Sequence, residues 1–505
     1  MPRHIGRSAG GYHHPPWARA GPSSCGNAVW VGCEERARLR PRRKVQIDYG
    51  WVAVGVVILA YIVGVFALYK THKIGRDQPI SFFGPCLMIK TERGRDTLDR
   101  VAQKAKRFWN WFGDAGIVLA LVAMAGMALL LIWEAVKVLS IPASEAPSAS
   151  EALALPGINP FIPVGYGIIA LVVAVVLHEL CHGVLARAND VKVKSLGVLW
   201  LVIPIGAFVE QDEEEMTKAP ARKRDRIAAA GVMANFVLAL VFFLILSAIF
   251  TTSVQPKADG IGVYGVLSGS PAQNASIAPG DIITMVNGTA TPNLITLKDA
   301  LSQCQPHHNY TVEVYSQSAG AIVARTVDMA PASAFESGLT VNESHAAFMG
   351  IQEYAIPPQA LVSLLQDPLG NAASQSGINV AGGLASPILF LALPFVAMEP
   401  VQGTAAQFFT VTGPLAFMGS GGGWILANLV YWLVWMNLLL GLCNALPAVP
   451  LDGGFLFTDA AAKVVRKFRS AWSEEKLNSV VNRLSIATTL FIFFLIIWQF
   501  VGPRL

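Results

Sequence analysis

Six apolar runs, each about 20 residues long, constrain this chain more than any other feature of its sequence. A helix of about 20 residues crosses roughly 30 Å of hydrocarbon and satisfies its own backbone hydrogen bonds there. The chain has 505 residues, of which 53% are apolar and 14% charged, and its mean hydropathy of +0.49 excludes a soluble globular protein. We predict a polytopic α-helical membrane protein that spans the bilayer at 51–69, 117–138, 164–186, 227–250, 424–443 and 484–501.

The positions of Lys and Arg predict the orientation of these spans. Residues 70–107 and 218–226 are basic, whereas residues 141–166 contain neither Lys nor Arg. Basic loops remain in the cytoplasm, so the segment after the fourth span is predicted to lie outside. The net charge of +5 is concentrated beside the spans, and no nucleic-acid partner is needed to explain it. Four N-x-S/T sequons lie in the predicted outer segment: Asn274, Asn287, Asn309 and Asn342.

A seventh apolar run, 387–398, is short and carries Pro394. The basic stretch 463–469 lies inside only if an odd number of crossings separates it from the fourth span, and the span at 424–443 already supplies one. We therefore interpret 387–398 as a re-entrant or broken segment.

Residues 1–44 and the cysteines carry little functional information. The first 44 residues are basic and rich in Pro and Gly, which is typical of a disordered arm or of a tail that is not native, with Val45 as an alternative start. The six cysteines form no C-x-x-C pair, so neither a disulfide framework nor a cysteine zinc site is predicted.

The third apolar run contains His178, Glu179 and His182 in the pattern His-Glu-x-x-His. Residues four apart share one face of a helix, so both imidazoles can reach one Zn²⁺ at about 2.0–2.1 Å. Glu179 lies next to them and can take a proton from a zinc-bound water. Ionisable side chains in a membrane helix are costly, which argues against a chance match or structural core histidines. The pattern therefore predicts a zinc site.

Asp452 is the candidate third zinc ligand, because hydrolytic zinc sites use three protein ligands and one open position. It follows the fifth span in a segment with two prolines and two glycines, where a helix does not simply continue. His182 precedes Arg187 by about 7–8 Å near the cytoplasmic end of its span, and Asp452 lies at the cytoplasmic end of its own, so the two depths agree. A solvated Asp in an ordinary helix-terminating turn remains the alternative.

Together these residues resemble the site-2 proteases, a family of intramembrane zinc metalloproteases. Its signatures are His-Glu-x-x-His in one membrane helix and Asn-x-x-Pro-x-x-x-Leu-Asp-Gly in a later one, and the second begins here at Asn444. The resemblance implies that His178, His182 and Asp452 bind one zinc ion. It also implies that Glu179 is the general base and acid and that Asn444 holds the substrate or its developing oxyanion.

The resemblance also implies substrates and a location. Single-span membrane proteins would be cut within or next to their transmembrane segments, which is regulated intramembrane proteolysis. We expect a prokaryotic cell membrane, with the zinc site near its cytoplasmic face.

Residues 196–209 are apolar but too short to span the bilayer as a helix, and Gly197, Pro204 and Gly206 interrupt them. They predict a re-entrant β-hairpin that enters from the cytoplasmic side. A helical substrate must be unwound before water can attack it, and an exposed strand edge could hold it extended by strand addition. An interfacial strand with only a packing role is the alternative.

The predicted outer segment contains strand-like runs, a hairpin signal at Asn287-Gly288 and a helix face at Leu294, Leu297 and Leu301. Its Ser-Gly-Ser-Pro-Ala and Pro-Gly-Asp stretches look like a PDZ domain, an insert that many site-2 proteases carry. Such a domain binds chain ends or extended peptides, so a peptide or protein ligand is expected, although a purely structural cap is the alternative.

These observations divide the chain into a basic tail (1–44), an N-terminal membrane region with the His-Glu-x-x-His helix and hairpin (45–250), a PDZ-like domain (255–335), an outer or re-entrant connection (336–423) and a C-terminal membrane region (424–505).

A metal transporter and a catalytically degenerate PDZ-bearing scaffold remain alternative functions. A transporter needs polar residues along a path, and outside the two motifs the spans supply few, chiefly Asp114 and Asn235. Asn235 fits either a helix-to-helix hydrogen bond or a site-lining role.

Overall fold

The structure is a computed structural model. It describes residues 49–70, 80–83, 86–142, 156–200, 204–335, 346–354, 356–368, 385–397 and 403–504, with isolated positions at 146, 148, 151 and 401. The predicted tail 1–44 lies outside the described residues. Residues from Tyr61 onward form one compact unit.

Thirteen α-helices occur in the described part of the chain. They are α1 Tyr49–Lys70, α2 Arg95–Lys104, α3 Lys106–Lys137, α4 Val164–Ala188, α5 Glu213–Lys218, α6 Ala221–Thr252, α7 Pro271–Asn274, α8 Leu294–Ser302, α9 Pro358–Gln366, α10 Ala385–Ala397, α11 Gly419–Asn444, α12 Asp452–Phe468 and α13 Glu474–Val501.

Five of these helices, α3, α4, α6, α11 and α13, are long and apolar enough to cross a membrane. This confirms the prediction of a polytopic membrane protein. The helices extend beyond the predicted runs, because apolar patterning detects only the hydrocarbon section. The first turns of α6, for example, carry Arg222 and Arg226, whose guanidinium groups pair with Asp114 on α3 at 2.9 and 2.6 Å. Asp114 is thus an interhelical anchor.

The short helix α10 contains the proline of the seventh apolar run. Its 13 residues reach about 20 Å, which is less than the hydrocarbon thickness. Pro394 has no N–H and cannot bond the carbonyl of Phe390 within the helix. The hydroxyl of Tyr431 on α11 donates to that carbonyl instead at 3.0 Å, and Trp435 Nε1 donates to the carbonyl of Leu391 at 3.0 Å. This short helix is therefore held against α11 by hydrogen bonds.

The strands form two larger sheets and two short ladders. They are β1 Ile80–Phe83, β2 Cys86–Thr91, β3 Val193–Trp200, β4 Pro204–Gln211, β5 Val254–Pro256, β6 Ile261–Val266, β7 Ile282–Val286, β8 Thr289–Ala290, β9 Asn309–Ser316, β10 Ala321–Asp328, β11 Ala330–Pro331, β12 Ala347–Phe348, β13 Ile351–Glu353 and β14 Phe409–Val411.

The predicted hairpin at 196–209 is β3 and β4, but it is half of a four-stranded antiparallel sheet with the order β1-β2-β3-β4. Strands β1 and β2 were not predicted and lie in a segment that was predicted to be a cytoplasmic loop. Their sequence signal is two short apolar runs on either side of Gly84-Pro85. Such short runs do not by themselves predict strands, and here β2 pairs with β3. Among the described residues, β4 is an edge strand of this sheet.

The second sheet has the order β10-β9-β7-β6-β13, and β8 pairs with β7. Asn287 and Gly288, with φ values of 50° and 77°, form the predicted hairpin turn between β7 and β8. The sheet extends past residue 335, the predicted limit of this domain, because β13 pairs with β6.

This second sheet is joined to the membrane helices by a shared core. Strand β5, which directly follows α6, pairs with β14 ahead of α11. Phe408 lies on Gly262 of β6, where a Cβ atom would come within 2.6 Å of the ring. One apolar cluster runs from Ile282 of the sheet to Trp432 of α11. The sheet is therefore fixed to the ends of α6 and α11.

Candidate metal centre

His178 and His182 lie one turn apart on α4 and face the interior of the helix bundle. Both residues are buried, with exposed fractions of 5% and 7%. The Nε2 atoms are 3.2 Å apart. The spacing of four residues therefore brings both imidazoles to one point, as predicted.

Asp452 reaches the same point from the first residue of α12. Its Oδ2 atom lies 3.2 Å from Nε2 of His178 and 3.3 Å from Nε2 of His182. The two following glycines allow this approach, because a Cβ on Gly453 would lie 2.2 Å from the carbonyl oxygen of Ala445. The helix start thus packs directly on the loop that ends α11.

Helix α6 closes this cluster from the other side. The carbonyl of Ile227 lies 2.7 Å from Nδ1 of His182, and a carbonyl can only accept, so Nδ1 carries the hydrogen and Nε2 presents a lone pair. Gly231 leaves space beside the imidazoles: a Cβ there would lie 2.4 Å from Nε2 of His178 and 2.5 Å from Nε2 of His182.

These donors fit a zinc ion. The Oδ2 atom of Asp452 is buried and accepts no hydrogen bond within the described residues. A carboxylate oxygen that faces the Nε2 lone pair of His182 at 3.3 Å is unfavourable unless a cation lies between them. Two imidazoles and one carboxylate are a ligand set of catalytic zinc sites.

Glu179 lines a cavity of about 320 Å³ beside this cluster, together with His182 and Asp452. Its Oε2 atom accepts a hydrogen bond from the backbone N–H of Val209 on β4 at 3.2 Å. The edge strand of the four-stranded sheet therefore borders the cluster.

Ion pairs between α6 and α12 involve three residues that line the cavity, Arg224, Asp225 and Asp459. Arg224 bonds both carboxylate oxygens of Asp459, at 3.1 and 2.8 Å. Lys463 pairs with the buried Asp225 at 2.6 Å. These contacts hold α12, and with it Asp452, against α6.

Asn444 is not brought into this cluster. It is the last residue of α11, is half-buried, and is not among the residues that line the cavity. The contacts of Ile227 and Gly231 with the histidines were not predicted, and for Asn235 two roles were open. The available signal was a spacing of four on α6, where Ile227, Gly231 and Asn235 form one face.

The sequence model of Peptidase family M50 matches residues 166–492, which include the histidines and Asp452. The chain belongs to this family. An uncharacterized protein of Methanocaldococcus jannaschii is 24% identical over 399 residues, covering 79% of this chain and 83% of that protein. The zinc metalloprotease Rip1 of Mycolicibacterium smegmatis is 23% identical over 366 residues, covering 61% and 88%. A membrane-bound transcription factor site-2 protease homolog of Arabidopsis thaliana is 27% identical over 127 residues, covering 25% of each chain.

As a member of family M50, the site-2 protease family, this chain is a membrane-bound zinc metalloprotease. His178, Glu179 and His182 form a group that could hold a metal ion, with one ligand atom of each within 4.8 Å of the others. The prediction of a zinc enzyme is thereby confirmed.

Proposed function

We propose that this M50 protein is an intramembrane endopeptidase that cuts single-span membrane proteins within or next to their transmembrane segments. Zinc would be held by His178, His182 and Asp452. The observation that carries the proposal is the meeting of these three side chains with Glu179 at a cavity inside a bundle of apolar helices. Metal-transporter and degenerate-scaffold functions have no comparable support.

The chemistry follows from the donors that surround the cavity. A zinc ion held by these residues would supply a Lewis acid that makes water more acidic and polarises the scissile carbonyl. Glu179 takes a proton from the attacking water at Oε1 or Oε2 and later delivers it to the leaving amine. The N–H of Val209 orients this carboxylate. Asn444 would hold the substrate or its oxyanion, a role that rests on the family signature.

The substrate is proposed to bind as a strand along the outer edge of β4. The N–H of Val209 donates to Glu179 instead of to β3, so Val209 and Ala207, two residues apart, direct their N–H groups away from the sheet. Strand addition there would hold an unwound substrate beside Glu179. We also propose that the four-stranded sheet is re-entrant and enters the membrane from the cytoplasmic side.

Replacing Ala207 by Pro is expected to lower cleavage about 2- to 10-fold, because it removes one outward N–H and hence one net hydrogen bond to the substrate. The β3–β4 ladder and the zinc content should remain intact. Ala207→Ser keeps the N–H and is the matched control. Equal cleavage rates for the two variants in proteoliposomes would reject binding at this edge.

The zinc site and the second sheet are proposed to lie near opposite faces of the membrane. Helix α6 has 32 residues and is about 48 Å long, with Ile227 beside the histidines near one end and β5 at the other. Together with the basic loops, this supports a cytoplasmic zinc site, an outer sheet domain and six spans that include α1, in a prokaryotic cell membrane.

The domain at 255–335, extended by the strands up to Glu353, is proposed to be PDZ-like and to bind an extended peptide or a chain end. Strand β13 is an edge of its sheet among the described residues and offers a site for strand addition. The tail at 1–44 and the membrane regions at 45–250 and 424–505 are proposed as before, and the connection predicted at 336–423 would then begin after Glu353.

Mapping of the cut site tests the proposed function. Purified protein in proteoliposomes should cleave single-span proteins from a reconstituted panel, and mass spectrometry of the products should place the cut within or next to the apolar segment. A zinc chelator should stop cleavage, and added zinc should restore it. Cuts confined to soluble regions, far from the apolar segments, would contradict intramembrane proteolysis.

A further inference from the structure

Three positions on one face of α6 lie against the two histidines. Ile227, Gly231 and Asn235 are four residues apart, so they stack on one side of the helix. Ile227 contacts His182, Gly231 approaches both imidazoles, and Asn235 contacts His178. The contact of Ile227 fixes the position of the ring hydrogen of His182, and Gly231 leaves space for the two imidazoles. The contact of Asn235 depends on which atom of its amide faces His178.

The contact of Asn235 joins its amide to the ring atom of His178 that faces away from Asp452. Nδ2 of Asn235 lies 3.2 Å from Nδ1 of His178. Asn235 is fully buried, and its Oδ1 atom has no hydrogen-bond partner among the described residues. One end of the amide therefore meets His178 and the other end meets nothing polar.

A half-turn of the amide exchanges its oxygen and nitrogen at almost no steric cost, so the chemistry of His178 decides which atom faces the ring. An amide N–H that faces Nδ1 would need a lone pair there, and the ring hydrogen would then lie on Nε2. His178 could not bind a metal in that form. An amide oxygen that faces Nδ1 accepts its hydrogen and leaves the Nε2 lone pair directed at Asp452 and His182.

We propose that Asn235 is a positioning residue of the zinc site, whose Oδ1 atom accepts a hydrogen bond from Nδ1–H of His178. It fixes the tautomer and the ring orientation of His178 as the carbonyl of Ile227 does for His182. The proposal rests on His178, His182 and Asp452 as the zinc ligands. Asn235 touches neither the metal nor the substrate and acts through His178 alone.

Zinc affinity tests this role separately from catalysis. Asn235→Leu has a similar shape but no acceptor, and its zinc dissociation constant, measured in detergent by competition with a chromophoric chelator, is expected to rise about 10- to 100-fold. Asn235→Asp can accept from Nδ1–H and is expected to bind zinc more tightly than Asn235→Leu. An Asp variant as weak as the Leu variant, or a Leu variant with wild-type affinity, would overturn the proposal.

Asn428→Leu is the matched control for the loss of a buried amide from a membrane helix. Asn428 on α11 is 1% exposed, donates from Nδ2 to the carbonyl of Val401 at 2.8 Å, and has an Oδ1 atom without a partner among the described residues. Its variant should keep wild-type zinc affinity, and an equal loss there would overturn a specific role for Asn235.

Two further outcomes distinguish failure of the proposed role of Asn235 from failure of a variant to fold and from failure of the proposed zinc-ligand set. If Asn235→Leu does not fold, Asn235→Asp decides: affinity close to wild type supports the acceptor role, and a loss of about tenfold or more overturns it. Failure of the wild-type protein to bind zinc would reject the ligand set on which the proposal rests. If the wild-type protein binds zinc tightly and the Asn235 variants bind it equally tightly, only the role of Asn235 is rejected.

Discussion

Replacing Glu179 by Gln is expected to lower the cleavage of a membrane substrate by about 10²- to 10⁴-fold, the usual contribution of a general base. The amide has nearly the same shape and can still accept from the N–H of Val209, but it cannot take a proton from water. Because the proposed ligands are unchanged, zinc should remain bound at one ion per chain. Single-turnover cleavage in proteoliposomes and metal analysis of the same sample measure the two quantities.

Glu215→Gln is the control for this experiment. Glu215 also accepts a hydrogen bond from a backbone N–H, that of Lys192 at 2.7 Å, but it does not line the cavity beside the histidines. This variant should cleave at the wild-type rate. Retained cleavage in Glu179→Gln would remove Glu179 from the mechanism, and loss of zinc from it would point to a ligand role instead.

Replacing Gly231 by Ala is expected to abolish zinc binding, and activity with it. The added methyl group would lie 2.3 Å from Cε1 of His178 and within 2.5 Å of Nε2 of both histidines, where side-chain atoms do not normally approach one another. Either the imidazoles move or α6 moves away from α4, and both changes separate the ligands. Equilibrium dialysis against zinc and the metal content of the purified protein measure the effect.

Gly441→Ala provides the comparison for the Gly231 variant. Gly441 is a buried glycine on α11 that faces α6, but the atoms nearest to a Cβ there, the Cβ of Asn235 and the ring of Phe236, would lie 3.4 Å away. Its variant should bind zinc like wild type. Wild-type zinc affinity in Gly231→Ala would show that the metal does not depend on the space beside this glycine.

Some features of the fold were predictable because they depend on residues close together in the chain. His178 and His182 share a helix face by spacing alone, and Asn287-Gly288 forms a hairpin turn because both residues accept a positive φ. The apolar runs predicted the long helices for the same reason: each run satisfies its own backbone hydrogen bonds.

Other features could not be predicted because the partners are far apart in sequence. Strands β1 and β2 are short apolar runs with no pattern that demands a sheet; β1 pairs with β2, and β2 pairs with β3 more than a hundred residues later. Similarly, the proline of α10 predicted a broken segment, but the hydroxyl that compensates its lost hydrogen bond comes from Tyr431.

The sequence alone determined the class of the protein, its long helices, the two-histidine motif and the likeness to a family of zinc proteases, because these depend on composition, on local spacing and on short motifs. Only the tertiary structure brought Asp452 within 3.3 Å of both imidazoles, placed the Val209 N–H on Glu179, and showed that α6 presents a carbonyl, a glycine and an amide to the histidines. The physical reason is that a metal site needs lone pairs that converge from several helices, and convergence depends on how helices pack and not on the order of residues within one of them.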